Sequence, residues 1–273
     1  EILHVILTTT EIQVARSHPI PEQELNRLVF RFRDSVMNPQ VDPGGAAREL
    51  YDVVIGPVSG DLEQAGAHTL MVSLDGALRY APLAALHDGE AYLVERYRLA
   101  LFTEAGRSGL SPSAEVDWTI SALGVSRELG GFPARPNVAS ELATIVSESD
   151  ADPEGVWPGQ VRLDEAFSLQ ALQDVLEDRA PVVHIASHFH FAAGTVSSSY
   201  LLLGDGDRLT LSALKEKGIR FRGVQLLTLS ACETGVVEER HGGGKEVEGL
   251  AVLAQRRGAR GVLATLWPVA DAS

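Results

Sequence analysis

The chain has 273 residues, 45% hydrophobic and 22% charged, with a formal net charge of −14 and one cysteine. That length can bury a sizeable core as one large domain or two small ones. The acidic balance disfavours a nucleic-acid footprint, which draws on clustered Lys and Arg. A single cysteine excludes an intrachain disulfide and a four-cysteine zinc site. No apolar run approaches the ~18–20 residues needed to span a bilayer, so no membrane segment is expected.

The opening Glu1-Ile2-Leu3-His4 shows no basic or apolar leader, and the chain stops at Asp271-Ala272-Ser273 directly after a strand-like run. It reads as an excerpt of a longer protein with a truncated C-terminal end. Residues 2–17, rich in β-branched side chains, predict a hairpin. Pro21 opens an amphipathic helix to about Val36, with Leu25, Leu28, Val29 and Phe32 at helical spacing. A loop covers 38–45 and a second helix 46–54. Thr69–Leu74 predicts a strand ending in the Asp75-Gly76 turn, and Asp88-Gly89 marks another turn.

Residues 104–117 are polar, Gly/Ser-rich and aperiodic, the best internal boundary. After them the pattern alternates. Strands are expected at 118–125, near Val161, and at 181–186, 200–203, 224–229 and 261–266. Helices are expected at 137–147 (capped by Asn137), 168–177, 212–217 and 247–257. Strands apolar on both faces, alternating with helices, indicate a mostly parallel sheet with helices on both sides. Ligands of such sheets bind beyond the carboxyl ends of the strands.

Two strands end in reactive side chains. One reads Pro181-Val-Val-His184-Ile-Ala-Ser187-His188-Phe189-His190, the other Leu226-Leu-Thr-Leu-Ser230-Ala231-Cys232. A Cys and a His brought there from neighbouring strands would face one cleft, and the imidazole would raise the thiolate fraction or protonate a leaving amine. From these residues alone, a buried inert thiol is the better reading of Cys232. His184, inside the apolar run, reads as a buried, hydrogen-bonded strand residue. His184, His188 and His190 share strand parity, but no carboxylate is well placed to complete a metal site, so no metal or cofactor is expected. Gly130-Gly131 is too slight for a phosphate loop, which sets aside a flavodoxin-like nucleotide binder.

His184-Ile-Ala-Ser-His188 followed by Leu229-Ser-Ala-Cys232-Glu-Thr-Gly235 resembles the signature of the CHAT domain family, caspase-like domains commonly fused to tetratricopeptide repeats. The resemblance extends to Leu74-Asp-Gly76 with Pro82-Leu-Ala-Ala-Leu86, and to Gly258-Ala259 with Ala264-Thr-Leu-Trp267-Pro-Val269. It implies an α/β caspase-like fold of two related halves: a degenerate half at 1–110 and an active half at 111–273. It implies a cysteine endopeptidase of the caspase/separase type, with Cys232 as nucleophile and His188 as catalytic histidine. Backbone N–H groups of Phe189 and Cys232 would form the oxyanion site. Family members often carry Gly after this His, and Phe189 departs from that pattern.

Trp267, Asp271 and Glu128 are candidate substrate-binding residues, the two acids favouring a basic side chain before the scissile bond. The loop at 238–248 would be a site of self-processing after Arg240 or Lys245. Implied partners are a protein substrate and an upstream repeat or sensor domain, with no nucleic acid bound directly, in the bacterial cytoplasm. The rival reading is a catalytically inactive interaction module with the same fold.

Overall fold

The computed structural model describes residues 2–7, 12–110, 116–149, 154–190, 198–231 and 250–265. The chain divides into two compact units, Glu1–Phe102 and Thr103–Ser273.

The first unit opens with an antiparallel hairpin, β1 (Ile2–Leu7) and β2 (Ile12–His18). Helix α1 (Glu22–Met37) and helix α2 (Gly44–Val54) follow. Apolar residues recurring every three or four positions place Leu28, Val29 and Phe32 on one stripe of α1. They share a core with Ala47, Leu50 and Val54 of α2, and Val29, Phe32 and Leu50 are fully buried. After a short α3 (Ser59–Gln64), strand β3 (Thr69–Val72) pairs in parallel with β4 (Arg98–Leu101), and α4 (Leu93–Arg96) lies between them in the chain. The sequence pattern missed β4: Arg98-Leu-Ala-Leu101 is too short and too mixed to read as a strand without its partner.

The second unit contains β5 (Ile120–Gly124), α5 (Asn137–Ile145), β6 (Val146–Ser147), β7 (Trp157–Leu163), α6 (Leu169–Glu177) and β8 (Val182–Ala186). It continues with β9 (Phe189–His190), β10 (Tyr200–Leu202), β11 (Arg208–Thr210), α7 (Leu211–Glu216), β12 (Leu226–Ser230), α8 (Leu250–Arg256) and β13 (Gly261–Ala264). Six strands form one parallel sheet in the order β13-β12-β8-β5-β7-β6. Strands β9, β10 and β11 form a separate antiparallel ribbon. Two expected boundaries shift. Pro136 rather than Asn137 precedes the first turn of α5, and that helix stops at Ile145 because Val146 and Ser147 turn extended to pair with β7. Residues 104–110, read as a connector, form a 3-10 helix, and Thr103 donates to Gln255 of α8.

Strand parity explains the layers. Leu123, Val183, Ile185, Leu227 and Leu229 face a large core shared with α6, α7 and α8. Ile120, Ala122 and Ala186 face Val138 and Leu142 of α5 in a smaller core on the other side. Gly124 permits the close approach of α5, since a Cβ there would lie 2.8 Å from both Leu142 Cδ1 and Val138 Cγ1. Both faces of β5 and β8 are therefore covered, which suits their near-continuous apolar composition. The fold is α/β with a helix-flanked parallel sheet, consistent with the caspase-like architecture.

Candidate functional site

From β5 the chain crosses outward to β6 and β7, then returns to place β8 on the other side of β5. The carboxyl ends of β5 and β8 are thus a topological switch point, where sheets of this kind open a crevice. His188 lies just beyond β8 and is buried at 7% exposure.

The segment leaving β5 is held over that histidine. Asp164 accepts hydrogen bonds from Ser126 N and Ser126 Oγ, each at 2.8 Å. Burial alone would raise its carboxyl. The backbone and hydroxyl donors of Ser126, with Arg127, outweigh that and hold it below its ordinary value. Beyond this clamp, Leu129 and Phe132 form a two-residue hairpin closed by mutual backbone hydrogen bonds. Gly130 and Gly131 both take positive φ, as a primed hairpin turn requires. The glycine pair is therefore a turn.

That turn delivers Phe132 and Pro133 to the imidazole. The Phe132 ring stacks on His188 with centroids 4.7 Å apart and planes 25° apart. His188 Nε2 lies 3.1 Å from the Pro133 carbonyl oxygen. A carbonyl has no proton to give, so Nε2 carries the N–H, and in the neutral ring the acceptor lone pair belongs to Nδ1. The His188 carbonyl accepts from Leu202 N at 2.9 Å. Given the Phe189–Leu201 register, this makes His188 and Leu202 a hydrogen-bonded pair. Phe189 and Leu201 then form the alternate, non-bonded pair, and the Phe189 N–H points away from β10.

Strand β12 lies beside β8 and ends at Ser230, two residues before Cys232. The Ser230 carbonyl accepts from Ser187 N at 3.2 Å, and the Ala231 carbonyl accepts from Thr265 Oγ1 at 2.6 Å. Cys232, Trp267 and Asp271, with the loop at 238–248, lie outside the described residues. Glu128 is exposed just before the Gly130-Gly131 turn.

His184 is a different kind of histidine. It faces α5, with Nδ1 on Thr228 Oγ1 and Nε2 3.0 Å from Glu141 Oε1. This matches its reading as a buried, hydrogen-bonded strand residue. Burial would raise the Glu141 carboxyl, but His184, helped by Ser230 and Arg135, holds it below its ordinary value. His190 instead packs against Tyr200. Among the described residues no group of three His, Cys, Asp or Glu side chains could hold a metal ion.

A family model described as CHAT domain matches residues 44–273, well over half of the chain. The chain belongs to the CHAT domain family. No curated protein matches it. The CHAT family is related to the caspase-like peptidases, and in this CHAT domain the match leaves out β1, β2 and α1. Among the described residues no helix is long and apolar enough to cross a membrane.

Sequence reasoning passed over Phe132, Pro133, Arg135 and Glu141. The glycine pair followed by Phe-Pro was the available signal for a tight turn presenting an aromatic ring. Nothing local marked Arg135 as buried or Glu141 as the partner of His184.

Proposed function

We propose that this CHAT domain is a cysteine endopeptidase in which Cys232 and His188 act as a dyad on a protein substrate. The observation that carries the proposal is the treatment of His188. It stands at the switch point of the sheet, its ring is stacked on Phe132, and its Nε2–H is committed to Pro133. A histidine held in one tautomer at a strand end, beside the strand that runs into the only cysteine of the chain, is arranged for proton transfer.

As the Cys232 sulfur attacks the scissile carbonyl, the S–H proton passes to Nδ1 of His188 and a tetrahedral intermediate forms. The imidazolium gives that proton to the leaving amine, the C–N bond breaks, and a thioester remains. Water then attacks the thioester while Nδ1 takes its proton; the C–S bond breaks, the acid is released, and the proton passes from His188 to the departing thiolate, which restores the thiol and the neutral imidazole. Backbone N–H groups of Phe189 and Cys232 stabilise the oxyanion. The outward direction of the Phe189 N–H supports its part in this, and an N–H donor does not require the glycine that relatives carry.

Residues 1–110 act in this reading as a degenerate counterpart of the active half at 111–273. An upstream tetratricopeptide or sensor domain controls access to substrate in the bacterial cytoplasm. The test is cleavage of a peptide library by the full-length protein and by Cys232→Ala and His188→Ala. Both variants should fold and lose turnover by orders of magnitude. Turnover unchanged in Cys232→Ala would refute the mechanism. Absence of any turnover, with Cys232 unreactive to a thiol-directed electrophilic probe, would favour an interaction module instead.

A further inference from the structure

Arg135 lies between the Phe132-Pro133 segment and α5, and it is buried at 8% exposure. Burying a guanidinium is costly unless its donors are used and its charge is compensated. Two carbonyls and a nearby carboxylate answer these costs. Nη1 donates to the Ser187 carbonyl at 2.6 Å and to the Ser230 carbonyl at 3.2 Å. The Glu141 carboxylate, on the first turns of α5, is held low partly by the charge of Arg135. The backbone of Arg135 is itself fixed, its N–H donating to Ser126 O at 2.7 Å and its carbonyl accepting from Val138 N at 3.1 Å.

These contacts converge on the candidate dyad. Ser187 immediately precedes His188, and Ser230 ends the strand that enters Cys232. Pro133, which accepts the His188 Nε2–H, is two residues from Arg135 on the same anchored segment. One side chain therefore links the ends of β8 and β12 with the chain that orients the imidazole. We infer that Arg135 is a positioning residue: its guanidinium locks the carboxyl ends of β8 and β12 to the Pro133 segment and so sets the place and tautomer of His188. The inference deepens the proposed peptidase reading and rests on it.

Nη1 alone reaches the carbonyls of Ser187 and Ser230, its N–H directions fixed by the guanidinium plane, whereas the ammonium of Lys is a rotatable point charge and Met offers no donor. Glu141 on α5 interacts electrostatically with Arg135 and with His184 on β8.

The experiment compares the full-length protein with Arg135→Met and Arg135→Lys. Three measurements are made on each: thermal midpoint, kcat and KM on a cleaved library peptide, and the 15N signals of the His188 ring. In the unaltered protein the ring nitrogens should report one Nε2–H tautomer. Arg135→Met should average the two tautomers and lower kcat about 100-fold, the scale of an ångström-level misplacement, while KM stays within about twofold. Arg135→Lys should recover part of both. A folded Arg135→Met or Arg135→Lys with the unaltered tautomer pattern and kcat overturns the inference. Should Arg135→Met fail to fold, Arg135→Lys decides by the same two readouts. If the unaltered protein cleaves nothing, the peptidase reading fails separately, and the 15N pattern alone still judges Arg135.

Discussion

Replacing His184 by Ala tests whether the buried polar group beneath the sheet ends is structural and separable from chemistry. The His184 side chain is 9% exposed and bonds Thr228 on one nitrogen and Glu141 on the other. A neutral hydrogen bond of this kind contributes about 1 kcal/mol, and one to a carboxylate about 1.5–3 kcal/mol. The upper end does not apply, because the Glu141 side chain is 32% exposed and keeps Ser230 and Arg135 as neighbours after the change. The expected loss is about 2–3 kcal/mol, which for a unit of this size lowers the melting temperature by about 4–12 °C.

Calorimetry on His184→Ala, Glu141→Gln and the double variant would measure it, with a coupling energy of about 1–2 kcal/mol between the two sites. The sign of the acid response follows from Glu141. Its folded pKa lies below its ordinary 4.5, so its stabilisation is complete above that pH and is lost as the pH falls through the folded value. Glu141→Gln should remove that part of the acid sensitivity. Catalysis in folded His184→Ala should persist, since the ring faces α5. A melting temperature unchanged within about 1 °C, or single-variant losses additive within about 0.5 kcal/mol, would refute the reasoning.

Phe132→Ala removes the ring stacked on His188 and should lower kcat about tenfold through imidazole misorientation; Phe132→Tyr should restore it, and steady-state kinetics of the two variants checks this. In the first unit, burial pushes the Asp88 carboxyl up, but donors from Ala91 and Glu90, with Arg96, bring it to about 2. Its contribution is therefore present above its ordinary 3.8 and lost as the pH falls towards 2, so Asp88→Asn should flatten that limb of a melting-temperature profile against pH. If Asp271 and the exposed Glu128 bound substrate, library peptides with Arg or Lys before the scissile bond would be preferred; enrichment of Leu or Met, unaffected by Asp271→Asn or Glu128→Gln, would point instead to an apolar pocket.

Much of this protein was legible before folding because the relevant signals are local. The apolar runs of β8 and β12 announce strands covered on both faces, and each gives way to small polar residues where the sheet ends. The spacing of Leu28, Val29 and Phe32 is a property of sixteen consecutive residues of α1. Family membership, too, was carried by short contiguous motifs, His184–His188 and Leu229–Gly235.

Tertiary structure alone decided the order of the strands, and with it the switch point at which His188 stands. It also decided the partners of each histidine. His184 meets Glu141 across 43 residues and Thr228 across 44, and His188 meets Pro133 across 55. Arg135 reads in sequence as one more surface cation before a proline. Its burial follows from two carbonyls 52 and 95 residues away that converge only once β8 and β12 lie side by side. Helix and strand periodicity is encoded in neighbouring side chains. Hydrogen-bond partners of buried polar groups depend on which chain ends the fold brings together, and no local pattern records that.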